Sequence, residues 1–90
     1  MSDNCLFCKI IKGEIPADIV GQTDHALAFR DINPQSPTHV LIIPKKHIVS
    51  TRDLNVGNIY YLSKMAFLAH KVSYNEKIIE DGYRWVINTG

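Results

Sequence analysis

The segment that most limits what this chain can become is Asn33-Pro34-Gln35-Ser36-Pro37 with the apolar run His39-Val40-Leu41-Ile42-Ile43 behind it, closed by Pro44. Pro34 and Pro37 each remove a backbone donor and fix φ, so residues 33–37 can be neither helix interior nor central strand and must form a stiff loop. The run that follows is unbroken rather than alternating. That pattern predicts a strand covered on both faces and central in its sheet.

The remaining patterns supply its neighbours. Leu6, Phe7, Ile10 and Ile11 share one helical face, and Gly13 follows where a helix stops, which predicts one or two helical turns. Ile19-Val20-Gly21-Gln22 reads as a short edge strand, Thr23-Asp24-His25 as a turn, and residues 26–31 as a second strand, together a hairpin. From Asp53 or Asn55, either of which can cap, to about Tyr74 the period changes from 2 to 3.6. Ile59, Leu62, Met65, Ala66, Ala69 and Val72 fall at helical spacing and predict the long helix. Tyr61 and Leu68 widen its apolar face, which implies a second buried contact such as a partner subunit. Glu80-Asp81-Gly82 reads as a turn and Tyr83–Asn88 as a last strand. The order predicts one α+β domain over residues 1–90: an antiparallel sheet with the long helix packed on it and a short helix in front.

Composition narrows the function classes. Ten basic against nine acidic residues give a net charge of +1, which argues against nucleic acid or a membrane surface as partner. A hydrophobic share of 46% with 21% charged residues disfavours disorder and coiled coil. The opening Met-Ser-Asp-Asn-Cys lacks a charged region leading into an apolar stretch, so a cytoplasmic location is expected. Cys5 and Cys8 are too few for a disulfide scaffold, and a C-x-x-C pair in that setting points to metal or redox chemistry, or else to inert buried thiols. Redox work is the weaker reading, because a thioredoxin-type pair follows a strand at a helix start and only four residues precede Cys5.

The string from Asp31 to His47, D-h-x-P-x-x-P-x-H-h-L-h-h-P-K-x-H, resembles the histidine triad superfamily, in its branch of small purine nucleoside phosphoramidate hydrolases. The likeness extends to Phe7-x-Lys9-Ile10-Ile11 and Glu14-Ile15-Pro16-Ala17 in front, and to Gly82-Tyr83-Arg84 and Val86-x-Asn88-x-Gly90 behind. It implies that the Asp31 carboxylate accepts both hydroxyls of a ribose. Leu6, Phe7, Ile10, Phe29 and Ile32 would form the slot for a purine base, and Asn88 would stand near the phosphate. Read from the residues alone, Asp31 is a solvated acid before a turn, the five apolar residues are core, and Asn88 opens a turn. The resemblance further implies structural zinc on Cys5, Cys8 and His47, a structural hydrogen-bonding role for His39, and a homodimer formed through the long helix and the last strand.

The family's chemistry lies on an H-h-H-h-H-h-h run after a Gly-Gln-Ser/Thr loop, whose middle histidine attacks phosphorus. His25, His39, His47 and His70 include no pair two residues apart. The expectation is therefore a phosphoramidase-type nucleotide-binding chain shortened before its triad-bearing strand, with no catalytic residue present. The alternative is a non-catalytic dimeric nucleotide- or zinc-binding module of the same ancestry.

Overall fold

The computed structural model describes residues 5–48 and 50–87. Helix α1 spans Leu6–Ile11, strands β1, β2 and β3 span Ile19–Gln22, Ala26–Arg30 and Val40–Pro44, and helix α2 spans Tyr60–Asn75 after a 3-10 turn at Thr51–Asp53. The strands form one antiparallel sheet in the order β1-β2-β3, the α+β architecture implied by the sequence. Among the described residues no helix is long and apolar enough to cross a membrane.

Strand β2 organises both sides of the sheet. Leu27 and Phe29 point to the face where they pack with Ile10 of α1 and Ile43 of β3. Ala26 and Ala28, at the alternate positions, meet Leu68 and Val72 of α2 on the opposite face. Small strand residues let α2 lie close, and Gly21 of β1 continues that surface: a Cβ there would stand 3.3 Å from Leu68 Cδ1 and 3.5 Å from Val72 Cγ2. Arg30 ties the end of β2 to the end of α2 through a two-pronged pair with Glu76, at 2.6 and 2.9 Å, and its Nε lies 3.4 Å from Asp18 Oδ2.

Four readings are corrected. The run at residues 39–43, read as the central strand, supplies β3, which among the described residues lies at the sheet edge, and β2 is central. The apolar run reported cover above and below, by Leu41 and Ile43 on the α1 side and Val40 and Ile42 on the α2 side, and carries no information about lateral neighbours. The strand read at Tyr83–Asn88 is absent where it is described: residues 83–87 have no regular structure, because β-forming residues make a strand only beside a hydrogen-bonding neighbour. Leu68, read as part of a second contact, is the most buried apolar residue of α2 and faces the sheet, whereas Ile59 is exposed. Regular helix starts at Tyr60 rather than near 55, because residues 56–59, with the poor helix former Gly57 among them, form turns. Asn55 does cap that turn: its Oδ1 accepts from the N–H groups of Gly57 and Asn58 at 2.8 and 3.1 Å, while Asn58 Oδ1 accepts from Asn55 N–H at 2.7 Å.

Both helices end in the same reversal. After α1, Gly13 takes φ +78° and the N–H groups of Gly13 and Glu14 reach the carbonyls of Ile10 and Lys9. After α2, Lys77 takes φ 60° and the N–H groups of Lys77 and Ile78 reach Tyr74 and Ser73. Only the second places a Cβ in left-handed backbone.

Candidate functional site

Asp31 stands directly beyond β2, where the chain enters the proline loop. The loop fixes it from both ends: Asn33 N–H donates to Oδ1 at 2.9 Å, an Asx turn, and Asp31 N–H donates to the carbonyl of His39 at 3.0 Å. The His39 ring closes the loop. Its Nδ1 accepts from Gln35 N–H at 3.1 Å, which leaves the ring proton on Nε2, 3.5 Å from Asp31 Oδ2. His39 thus has the structural role read for it. A carboxylate offers about four acceptor positions, and these contacts engage two of them. Asp31 is half-buried beside a cavity of about 910 Å³ whose walls include Thr38, His39, Ser73, Tyr83 and Trp85.

The apolar residues of the expected base slot divide into two sets. Ile10 and Phe29 are buried together in the core on the α1 side. Phe7 remains 43% exposed with its ring 6.2 Å from that of Phe29, inclined by 51°. Leu6 is exposed at the start of α1, and Ile32 is 91% exposed next to Asp31. The structure therefore brings Phe7, Ile10 and Phe29 together and leaves Leu6 and Ile32 projecting. Asn88 lies outside the described residues.

The thiol pair lies past the other end of the strands. Cys5 is the N-cap of α1 and its Sγ accepts from Cys8 N–H at 3.2 Å. Pro44 ends β3 and the chain turns so that His47 Nδ1 comes within 3.0 Å of Cys8 Sγ. The three donor atoms all lie within 4.8 Å of one another, with Cys8 buried, Cys5 half-buried and His47 exposed. The hydrogen bond between the thiols, and then the bond from Cys8 N–H, pulls the Cys5 pKa below its ordinary value. The same thiol contact, followed by burial, pushes Cys8 up. Two thiolates and an imidazole suit zinc, whose tetrahedral shell sets S and N ligands roughly 3.5–3.8 Å apart, so these residues could hold a metal after a small rearrangement that parts Cys8 Sγ from His47 Nδ1, now 3.0 Å away. Because Ala26 pairs with Pro44 and Arg30 with Val40, the cluster and Asp31 are separated by the whole strand pair, roughly 14 Å. A metal there would fasten α1 to the segment after β3.

Sequence reading missed the contact of His39 with Asp31, although the Asp-x-Asn turn and a histidine at the loop's far end signalled it. The clamp between Arg30 and Glu76 carries no such signal, since 46 residues separate its partners.

The family model described as scavenger mRNA decapping enzyme C-term binding matches residues 4–90. A purine nucleoside phosphoramidase of Escherichia coli K12 is 47% identical over 89 residues, which cover 99% of this chain and 75% of that protein. A 14 kDa zinc-binding protein of Zea mays is 46% identical over 87 residues, 94% of this chain and 67% of its own length. The solved structure of a HIT family hydrolase from Clostridium thermocellum superimposes with a TM-score of 0.97 at 43% identity, covering 100% of this chain and 78% of that one.

Proposed function

Since the chain belongs to the histidine triad superfamily, we propose that it binds purine nucleotides, with Asp31 as the ribose anchor. The observation that carries this reading is the state of Asp31: a carboxylate held by Asn33 and His39 at a strand end, with acceptor positions left over, beside exposed apolar side chains. Two ribose hydroxyls donate to those positions. The purine ring lies against Leu6, Phe7 and Ile32, over a floor of Ile10 and Phe29, because apolar contact grips a flat ring whatever its polar edge. Asn88 follows as the phosphate contact. Its relatives' names supply the purine class. Phosphoramidate hydrolysis is assigned to no residue of this sequence, since its histidines include no pair two apart.

Calorimetric titration with AMP, GMP and CMP tests the reading. The two purine nucleotides bind and CMP binds more weakly. Asp31→Ala loses about ten- to hundredfold in affinity, the worth of hydrogen bonds to a charged group at about 1.5–3 kcal/mol. Equal affinity of parent and variant would reject it.

A second reading concerns the thiol cluster: a structural zinc ion on Cys5, Cys8 and His47, which cross-links α1 to the segment after β3 and leaves a fourth position for another ligand. Elemental analysis of protein purified without added metal should find zinc in the parent and markedly less in Cys8→Ser. The same proposal includes a cytoplasmic homodimer. Tyr60, Phe67 and Tyr74, spaced by seven residues, form an exposed aromatic stripe on α2, away from the sheet. Light scattering that finds a monomer would remove the dimer.

A further inference from the structure

Within the chain the two cysteines have only each other as partners, and the structure sets them at unequal depth. Cys5 is half-buried and Cys8 is 3% exposed, and both line a cavity of about 460 Å³. Cys5 Sγ is held over the first turn of α1 by Cys8 N–H at 3.2 Å. Cys8 Sγ faces the imidazole of His47 at 3.0 Å, and all three atoms fall within 4.8 Å. The feature shared with a thioredoxin-type pair is the helix start, where Cys5 is the cap.

We propose that Cys5 and Cys8 form a reversible intramolecular disulfide, in which Cys5 attacks a low-molecular-weight disulfide and Cys8 resolves the product. In the first step the Cys5 sulfur, its proton released to water, attacks one sulfur of R–S–S–R. A Cys5–S–S–R bond forms, the R–S–S–R bond breaks, and RS⁻ leaves and takes up a proton. In the second step the Cys8 thiol gives up its proton to the solution and its sulfur attacks Cys5 Sγ. The Cys5–Cys8 bond forms, and the second RS⁻ leaves and is protonated. Two protein thiols are oxidised and one disulfide is reduced to two RSH. Accessibility fixes the order, because an external disulfide reaches the half-buried Cys5 before the buried Cys8. The closed pair also removes both thiolates from the metal cluster, so oxidation and metal loading exclude each other. The inference is independent of nucleotide binding.

The test uses the full chain, stripped of metal with a chelator and exposed to glutathione disulfide, with intact mass and thiol titration as readouts. The parent is expected to lose both titratable thiols and two hydrogen masses, without retaining glutathione, and to regain the thiols with reduced glutathione. Cys8→Ser should stop at one bound glutathione on Cys5. Cys5→Ser should react about tenfold more slowly or less, because its remaining sulfur is buried. Prior loading with zinc(II) should protect the parent's thiols. A parent that keeps two thiols under excess oxidant overturns the proposal without reference to any variant. Stable glutathione on the parent, or Cys5→Ser reacting as fast as Cys8→Ser, overturns the assigned order.

Discussion

The two faces of the sheet are built on opposite plans. Toward α2 the strands present Gly21, Ala26 and Ala28, the helix supplies Leu68 and Val72, and the Arg30–Glu76 clamp fastens the layers at one end. Toward α1 the strands present Leu27 and Phe29, the helix is only six residues long, and Leu6 and Phe7 remain exposed. One face is covered by a long helix lying close, with a cavity left beside Asp31. The other keeps apolar surface and reactive side chains at its margins. Stability should therefore depend more on the α2 face, and ligand chemistry should respond to changes around α1 and Asp31.

Leu68→Ala tests that division most severely. Leu68 is 2% exposed, so truncation should cost about 2–5 kcal/mol, seen as a lower denaturation midpoint. Affinity for AMP, measured where the variant is still folded, should be unchanged. Gly21→Ala probes the close approach from the strand side. Its new methyl meets Leu68 Cδ1 at 3.3 Å and should cost about 1–3 kcal/mol. In a Leu68→Ala background that penalty should shrink, since the two changes share one contact.

The difference between the faces was only partly legible in the sequence. The turn residues Thr23-Asp24-His25 between two short apolar runs gave the hairpin, and Gly13 gave the end of α1. The small residues Ala26 and Ala28 carried no mark of centrality, however, while the conspicuous run at 39–43 did, because hydrophobic pattern reports cover above and below a strand and not who lies beside it. Leu68 was visible as apolar, but only packing showed that it points at Gly21. In the candidate site, the Asp-x-Asn turn and the C-x-x-C spacing are local and could be read. The approach of His47 to Cys8 spans 39 residues and was reached through family resemblance. Chain geometry at the capping position of Cys5 was open to neither route.

Smaller effects sharpen the comparison at the helix ends. Lys77 holds left-handed backbone in the position that Gly13 occupies after α1. Lys77→Gly should raise stability by about 1 kcal/mol, measured by urea unfolding, and a loss would show that the lysine side chain has a compensating contact. The clamp should appear in acid. The hydrogen bonds from Arg30 hold the Glu76 carboxyl below its ordinary pKa. Its contribution is therefore complete above the unfolded carboxylate value of about 4.3 and is lost as pH falls through the lower folded value. Glu76→Gln should lower the melting temperature modestly at neutral pH, and that difference should narrow toward about pH 3.

The central claim is that Asp31 holds a ribose at the end of β2. Its most direct test is the affinity of the chain for AMP beside 2′,3′-dideoxy-AMP, with Asp31→Asn as the control. The parent should bind the dideoxy compound about ten- to hundredfold more weakly, and Asp31→Asn should bind both with nearly equal, reduced affinity. A parent that binds the two compounds equally, or a variant that keeps the full preference for AMP, would contradict the assignment.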